Sequence, residues 1–285
     1  MTQKDRVTSL IQSGDRMDLH IHTCFSDGDL SPEEVCTRWV SSGYKVIAIT
    51  DHNGIEGSMV GFDYAPAAGI ELIPGIEIDS TDELGRDIHI LGYGIDYYCP
   101  ELNDALRKLR IKRARRNDMM LAELNRLGYE ITLDDIGSVN EGRYIGKPTF
   151  AVILERKGYV ASPEEAFREV FRNNETIRSL HKEAFAASDV IALIRKAGGI
   201  AVMAHPMEQR HIGESFADFR PRLMAIMDRM MEYGIEGIEC YHPSASASQS
   251  EMLRKYAEEH GLIITRGSDF HSDRQNRDYS RYHKD

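Results

Sequence analysis

The stretch MDLHIHTCFSDG, at residues 17–28, places two histidines and an aspartate at the end of a short apolar run. His20 and His22 are two positions apart, so an extended strand would direct both imidazoles to the same side. Asp27 follows five residues after His22. This stretch alone leaves two interpretations open: a half-buried strand with two hydrogen-bonded histidines, or the beginning of a metal-binding site.

Side chains of metal-ligating types recur in or after six further apolar runs of the chain. They are Asp51 and His52, Glu77, His89, His205, His242, and the pair Asp269 and His271. Seven of the 11 histidines occupy these strand-end positions, which scattered hydrogen-bonded histidines would not be expected to do. In α/β barrels the carboxyl ends of the strands carry the active site. We therefore expect these residues to converge at one end of the fold.

Clustered imidazoles and carboxylates in a buried site require a cation, because otherwise they repel one another or lack polar partners. A nitrogen and oxygen donor set without thiolate suits Zn²⁺, Mn²⁺ or Fe²⁺. Two or three such ions bridged by a carboxylate suit hydrolysis of a phosphate ester, since they activate water and neutralise phosphoryl charge. The sequence therefore predicts the multinuclear metal centre of a hydrolase.

The apolar runs are short and rich in Ile and Val, as buried parallel strands are. We predict seven strands, at residues 17–21, 46–50, 70–78, 87–93, 200–204, 234–240 and 262–267. Helical segments lie between most of them. The segment 31–43, for example, begins with Ser31 and Pro32 and ends at Gly43. This alternation indicates a parallel α/β fold, and seven strands indicate a barrel.

Residues 97–187 interrupt the alternation, because no strand is predicted there and a long helical pattern covers 100–128. We interpret this region as a helical insertion, or cap, after the fourth strand. Residues 1–96 and 188–285 would then form the barrel. The segment 107–116 holds seven basic residues, and these could guide an oligonucleotide or simply form a solvated helix face.

Composition indicates which ligands the protein can attract and where in the cell it is expected. The chain has 285 residues and a net charge of −11, so its overall field does not attract nucleic acid, and local charge or metal must bind any phosphate. The four cysteines are scattered, which indicates reduced thiols and a cytoplasmic location. No signal peptide and no apolar run long enough for a membrane span is expected.

The pattern resembles the polymerase and histidinol phosphatase (PHP) family. The matching motifs are H-x-H on the first strand, D-H after the second, Glu on the third, His on the fourth, A-H-P after the fifth and S-D-x-H after the last. They lie within 17–93 and 188–271, and the family fold is a distorted (β/α)7 barrel. The resemblance implies three metal sites, with ligands His20, His22, Glu77 and Asp269; Glu77, His89 and His205; and Asp27, His52 and His271. Glu77 would bridge the first two sites.

Asp27 stands where some members of the family have His. This is similar to the branch that acts on small phosphoesters and nucleotides and carries a helical insertion after the fourth strand. The resemblance therefore implies hydrolysis of a phosphomonoester, with the 3′-phosphate of a nucleoside 3′,5′-bisphosphate as the first candidate. Alternatives are 5′–3′ degradation of short RNA, hydrolysis of histidinol phosphate, and a regulatory metal-binding domain without catalysis. A C–N hydrolase often uses a carbamylated lysine, which no predicted strand end here supplies.

The stretch EGRYIGKPTF, at 141–150, departs from the G-R-P-H-like motif of the nucleotide enzymes, because Lys147 and Thr149 replace Arg and His. Lysine can contact a phosphate, although without the bidentate geometry of arginine. We predict that Arg143 and Lys147 contact the substrate phosphate, with a solvated loop as the alternative. His242 is predicted to bind phosphate or protonate the leaving oxygen, in a catalytic set with Glu77 and Asp269.

Overall fold

The structure is a computed structural model that describes residues 2–140, 145–180, 184–211, 213–273 and 279–283. The chain divides into two compact units. The first comprises Met1–Asp104 and Ala184–Asp285, and the second comprises Ala105–Glu183. The fold is a mixed α/β fold with its sheets in the first unit.

Nine strands lie in the described part of the first unit. They are β1 (Met17–Ile21), β2 (Val46–Ile49), β3 (Glu71–Leu72), β4 (Gly75–Thr81), β5 (Asp87–Tyr93), β6 (Phe185–Ala186), β7 (Ile200–Met203), β8 (Gly237–Tyr241) and β9 (Ile263–Arg266). The prediction of one strand over 70–78 is wrong, because β3 and β4 are separate strands that belong to different sheets. Pro74 lies between them and cannot donate a backbone hydrogen bond.

The strands form a three-stranded sheet in the order β1-β2-β3 and a six-stranded sheet in the order β6-β4-β5-β7-β8-β9. All neighbours are parallel except at β5, which runs antiparallel to both β4 and β7. The expectation of a parallel fold is therefore wrong at this strand. The connection from β4 to β5 is a tight turn in which Asp82 Oδ1 accepts from the backbone N–H of Leu84 and Arg86, each at 2.9 Å. Such a short link joins antiparallel strands, whereas a parallel crossover needs a dozen or more residues.

The two sheets meet at two isolated backbone bridges. One pairs Ile21, at the end of β1, with Phe270, and the other pairs His52 with Glu77 of β4. Each bridge therefore involves a predicted metal ligand or its chain neighbour. The expectation that 97–187 holds no strand is wrong at β6, whose two residues pair with Ser80 and Thr81 of β4.

Helices follow most of the strands, and the helix Pro32–Ser41 begins at the Ser31 cap that the sequence indicated. Ser31 and Ser246 each form a capping box, in which the side chain and a residue three positions later satisfy each other's backbone N–H groups. The helices are α1 (Gln3–Ile11), α2 (Pro32–Ser41), α3 (Glu56–Ala68), α4 (Pro100–Arg126), α5 (Leu133–Asn140), α6 (Lys147–Arg156), α7 (Pro163–Glu165), α8 (Glu175–Ser179), α9 (Ala187–Lys196), α10 (Phe216–Glu232), α11 (Ala247–Glu259) and α12 (Ser280–His283).

Apolar packing holds the strands of the first unit in place. One buried cluster joins Val7 and Ile11 of α1 to Leu19, Val46 and Val202 of three strands. A second cluster packs side chains of α2 and α3 against β2. Each buried aliphatic side chain contributes about 1.5–3 kcal/mol of transfer free energy. The strand ends that carry polar residues are thus anchored by apolar residues on the same strands.

The second unit has its own apolar core, which includes Leu124, Phe150, Leu154, Phe171 and Ile177. A π-helical turn at Ala166–Phe171 lies within its helical stretch. The basic segment 107–116 forms part of α4. Among the described helices, none is long and apolar enough to cross a membrane.

Candidate metal centre

Four buried side chains meet at the first group of candidate ligands. They come from the end of β1, from the third residue of β4 and from the segment after β9. The Nε2 atoms of His20 and His22 lie 3.2 Å apart. Asp269 Oδ1 lies 3.4 and 3.2 Å from these two nitrogens, and Glu77 Oε2 lies 3.3 and 3.2 Å from them. Ligands at about 2.1 Å around a tetrahedral ion are separated by about 3.4 Å. The spacing therefore matches one ion held by four atoms.

The other oxygen of Glu77 serves a second group. Glu77 Oε1 lies 3.0 Å from His89 Nδ1 and 3.1 Å from His205 Nε2. One carboxylate thus places its two oxygens against two separate sets of imidazoles, as a bridging ligand does. His89 is the third residue of β5, so its expected place at the carboxyl end of the fourth strand is wrong. Because β5 is antiparallel, its amino end lies beside the carboxyl ends of its neighbours.

A third group is formed by His22, Asp27, His52 and His271, whose ligand atoms all lie within 4.8 Å of one another. Its shortest contact is 3.2 Å, between Asp27 Oδ1 and His271 Nε2. All nine residues predicted as metal ligands are therefore found in these three groups. Their assignment to particular ions stays a prediction.

The backbone is in an unusual conformation at three points beside the site. Asn53, His205 and Asp269 have positive φ angles of 51°, 26° and 50°. Residues other than Gly, Asn and Asp rarely adopt positive φ angles, and residues that do so cluster at functional sites. Here the conformation directs the side chains of His205 and Asp269 toward the imidazoles of the other strands.

Two buried carboxylates outside the three groups hold the ligands in place. Asp51 Oδ1 accepts from the backbone N–H of Thr23 at 2.7 Å and from the hydroxyl of Ser26 at 2.5 Å, which fixes the turn before Asp27. Glu239 Oε1 lies 3.1 Å from His20 Nδ1, the ring nitrogen opposite the first group. A carboxylate behind a ligating histidine fixes the orientation of the ring and raises its basicity.

The donor set and its unmet bonding fit divalent metal ions. Among the described residues, several fully buried side-chain atoms make no hydrogen bond although charged groups surround them: Asp27 Oδ1, His52 Nδ1, Glu77 Oε2, His205 Nδ1 and His242 Nε2. Leaving such atoms unsatisfied costs about 1–3 kcal/mol each. Carboxylate oxygens and imidazole nitrogens are the ligands of Zn²⁺, Mn²⁺ and Fe²⁺. The clusters are therefore able to bind metals.

The carboxylates change the pKa values of the histidines between them. Burial alone lowers the pKa of His22, but Asp269 and Glu77 outweigh it and raise this pKa to about 10. Burial also lowers the pKa of His205, whereas Glu208 and Glu77 raise it to about 9. Conversely, the neighbouring imidazoles outweigh burial and hold the pKa of Glu77 well below its usual range.

These shifts predict that metal binding releases protons. Below the raised pKa values of His22 and His205 the metal-free protein keeps both rings protonated, and a metal ligand must be deprotonated. We expect Mn²⁺ affinity to rise with pH between about 7 and 9 and proton release at pH 7.5. Calorimetry in buffers of different ionisation enthalpy measures this release. Binding without proton uptake by the buffer would contradict the prediction.

His242 lies beside the first group and presents a defined tautomer. Its Nδ1 accepts from the backbone N–H of Ser244 at 3.0 Å and lies 2.7 Å from the Ser244 hydroxyl. A neutral ring with Nδ1 as acceptor carries its proton on Nε2. That Nε2 lies 3.5 Å from Asp269 Oδ2, so the proton points toward the candidate ligands.

Gly267 packs directly against His20 and Glu239, without room for a side chain. A Cβ at residue 267 would lie 2.2 Å from the Cβ of His20 and 2.6 Å from Glu239 Oε1. We expect Gly267→Ala to displace His20, to lower stability by about 1–3 kcal/mol and to weaken Mn²⁺ binding. Thermal unfolding and Mn²⁺ titration measure both effects. Gly137→Ala is the control, because a Cβ there meets no described atom within 4 Å; equal behaviour of the two variants would refute the prediction.

The predicted substrate-binding residues outside the metal groups have separate outcomes. Arg143 lies outside the described residues. Lys147 is the first residue of α6, and its Nζ donates to the carbonyl oxygen of Ile177 at 3.2 Å. Burial and Arg116 lower the pKa of Lys147. Its contact with a substrate stays a prediction.

Sequence reasoning missed Asp79 and Glu239. Both are buried, with relative exposures of 6% and 0%, and both touch candidate ligands. Asp79 had a signal in the sequence, because it lies two positions after Glu77 on the same strand and shares its face. Glu239 lies within a predicted strand, where the alternating glutamates of GIEGIEC looked like part of an apolar run.

Comparison with known proteins gives the family. Residues 18–267 match the PHP domain. The chain is 30% identical to a 5′-3′ exoribonuclease of Haemophilus influenzae, over 90% of each chain. It is 29% identical to a phosphoribosyl 1,2-cyclic phosphate 1,2-diphosphodiesterase of Eggerthella lenta, over 89% of this chain and 93% of the relative. It is 30% identical to a 3′,5′-nucleoside bisphosphate phosphatase of Chromobacterium violaceum, over 90% of this chain and 87% of the relative.

Solved structures agree with this relationship. A crystal structure from Bifidobacterium adolescentis, assigned as a metal-dependent phosphoesterase, superposes with a TM-score of 0.76 at 29% identity and covers 90% of this chain and 88% of that chain. The chain belongs to the PHP domain family, and the resemblance stated from the motifs is confirmed. Its class is that of the phosphoric ester hydrolases.

Proposed function

We propose that this protein hydrolyses a phosphomonoester at a centre of three divalent metal ions, Mn²⁺, Fe²⁺ or Zn²⁺. The observation that carries the proposal is the placement of the two oxygens of Glu77. One lies against His20, His22 and His52, and the other lies against His89 and His205. A carboxylate shared in this way suits a bridged pair of ions. The third ion would be held by Asp27, His52 and His271, with His22 close by.

The proposal includes a fold: a distorted (β/α)7 barrel of β1, β2, β4, β5, β7, β8 and β9, with residues 97–187 as a helical insertion, or cap. The two isolated bridges support it, because they link β1 to the segment after β9 and the segment after β2 to β4. Those links would close the seven strands into a ring. Strand tilt and register shifts, such as the one in β1, are what closure requires.

The proposed roles follow from charge and proton position. When bound, the ions would activate water at neutral pH and neutralise charge on the phosphoryl group. Glu77 and Asp269 supply the negative charge that holds the ions, and Glu239 orients His20 from behind. His242 carries a proton on Nε2 beside Asp269, and from there the neutral ring can donate a hydrogen bond to the leaving oxygen. Complete transfer of a proton to that oxygen would require the imidazolium form, because a neutral ring would become imidazolate.

The proposed substrate is a nucleoside 3′,5′-bisphosphate, which would lose its 3′-phosphate. Similarity to the phosphatase of Chromobacterium violaceum supports it. The second candidate is 5′–3′ degradation of short RNA, which the equal identity to the exoribonuclease of Haemophilus influenzae favours. The proposed partners are therefore small phosphorylated molecules. The residues proposed to contact their phosphate are Arg143, Lys147 and His242.

The test is phosphate release from adenosine 3′,5′-bisphosphate with Mn²⁺, beside release of nucleotides from a short 5′-phosphorylated RNA. Wild type is compared with Asp269→Asn, which keeps a residue that tolerates the positive φ at this position. Mn²⁺-dependent phosphate release that Asp269→Asn abolishes supports the bisphosphate. Nucleotide release from RNA without phosphate release establishes the second candidate. Turnover of neither, with a wider panel of phosphoesters also inert, contradicts the enzyme proposal.

A smaller effect is expected at the insertion. Lys147→Ala should raise the KM for a bisphosphate, because it removes a point charge that attracts phosphate, and should leave kcat close to that of wild type. Steady-state kinetics on the substrate identified above measure the two constants. Lys157→Ala is the control, since Lys157 pairs with Asp135 at 2.7 Å. An unchanged KM in Lys147→Ala would show that this residue does not contact the substrate phosphate.

A further inference from the structure

Asp79 is a buried carboxylate on β4 that belongs to none of the three predicted ligand sets. It lies two residues after Glu77, so the two side chains share one face of the strand. Its exposure is 6%. Taking a carboxylate out of water costs several kcal/mol unless charged or hydrogen-bonding groups compensate it. The groups around Asp79 therefore indicate its purpose.

One oxygen of Asp79 is held by a side chain of unusual backbone conformation. Asp79 Oδ2 accepts from Asn53 Nδ2 at 2.7 Å, and Asn53 Oδ1 accepts from the backbone N–H of Asp79 at 3.1 Å. Asn53 itself has a φ of 51°. This reciprocal pair fixes the carboxylate in a single orientation before any ligand binds.

The other oxygen faces two candidate ligands that belong to different ions. Asp79 Oδ1 lies 3.2 Å from His52 Nδ1 and 3.2 Å from His89 Nε2. His89 is predicted at the second ion with Glu77, whereas His52 is predicted at the third ion with Asp27. A single oxygen atom therefore connects the second and third sites.

The two ring nitrogens of His89 face two different carboxylates. Nδ1 lies 3.0 Å from Glu77 Oε1, on the side of His205, and Nε2 faces Asp79. An imidazole that binds an ion through one nitrogen carries its proton on the other. An ion held at Nδ1 would leave the proton on Nε2, which would face Asp79 Oδ1 at 3.2 Å. This is the carboxylate–histidine–metal arrangement that fixes tautomer and ring orientation.

We propose that Asp79 is a positioning residue that orients His52 and His89 together, and so couples binding of the second and third ions. The proposal rests on the metal centre of the proposed function, but not on the identity of the substrate. It also assigns Asn53 a role, because Asn53 holds the oxygen of Asp79 that does not face the histidines. The two imidazoles that face Asp79 Oδ1, those of His52 and His89, are predicted ligands of the third and second ions.

The test is a Mn²⁺ titration of metal-free protein, followed by calorimetry and by the electron paramagnetic resonance signal of coupled Mn²⁺ ions. Asp79→Asn keeps the shape of the side chain but replaces one carboxylate oxygen with an NH₂ group. The variant therefore cannot accept from Asn53 and face both histidines with an oxygen at the same time. We expect Asp79→Asn to weaken two of three Mn²⁺ sites by about 10- to 100-fold and to leave the tightest remaining site at wild-type affinity. Excess Mn²⁺ should restore both weakened sites. Asp63→Asn, an exposed residue of α3, is the matched control for loss of one charge.

Asn53→Gly is the second variant, because glycine accepts the positive φ while removing the amide that holds Asp79. It should weaken the same two sites by a smaller factor. Circular dichroism confirms that each variant is folded before titration. Wild-type affinities at all sites in folded Asp79→Asn would overturn the proposal. Loss of a single ion that excess Mn²⁺ does not restore would also overturn it, because it would make Asp79 a direct ligand. Both readouts are measured without substrate, so a wrong substrate assignment leaves them intact.

Discussion

Glu77→Gln should lower kcat/KM for the phosphoester by more than about 100-fold, because loss of residues behind metal ligands already costs about 10- to 100-fold. Glu77 is 1% exposed, and its two oxygens face five imidazoles. The amide keeps the shape but replaces one oxygen with an NH₂ group that cannot bind a cation. We expect the variant to retain fewer ions than wild type, as measured by elemental analysis beside steady-state kinetics.

Glu259→Gln is the matched control for the same change at an exposed position, the last residue of α11. It should keep wild-type kinetics and metal content. If Glu77→Gln kept full metal content and lost activity less than tenfold, Glu77 would not be the bridging ligand. The first and second groups would then have to bind their ions separately.

His242→Gln should lower kcat by about 10²- to 10⁴-fold on a ribose 3′-phosphate, whose leaving alkoxide needs a proton. The reason is the tautomer that Ser244 imposes, because it makes Nε2–H of the neutral ring, next to Asp269, a hydrogen-bond donor that can stabilise the leaving oxygen. On an aryl phosphate the leaving group departs without protonation, so the same variant should retain most of its kcat. The ratio of the two kcat losses is the measurement.

Ser244→Ala is the companion variant, because the backbone N–H of Ser244 still donates to Nδ1 after the hydroxyl is removed. It should lose far less activity than His242→Gln. Equal losses of His242→Gln on both leaving groups would exclude proton donation by His242. A rise in KM with unchanged kcat would instead make it a phosphate-binding residue.

The motifs were sufficient to predict which residues lie close together, but not the direction in which each strand runs. His20 on β1 and His22, the residue after this strand, direct their rings to the same side as the i, i+2 rule predicts, with their Nε2 atoms 3.2 Å apart. His89 reached the same site although β5 runs in the opposite direction to the one predicted. A run of apolar residues looks the same in either direction. Only the short turn at Asp82–Arg86 distinguishes a hairpin from a crossover.

The residues that support the ligands were harder to predict. Glu239 contacts a histidine that lies 219 residues away in sequence, and Asp79 contacts His89 on the next strand, so both roles depend on register between strands. Asp79 pairs directly with His89 across β4 and β5, and a shift of one residue would have turned it away from the site. The register of β4 and β5 follows from the length of the turn that joins them, whereas the position of Glu239 beside His20 depends on strands that are distant in sequence.

The most direct test of the account is the metal content of the purified protein. Protein saturated with Mn²⁺, freed of excess ion and measured by elemental analysis should contain two to three divalent ions per chain. Glu77→Gln should contain fewer, and Glu259→Gln should match wild type. A wild-type content of one ion or none, with Zn²⁺ and Fe²⁺ giving the same result, would contradict a multinuclear centre and the hydrolytic function proposed on it.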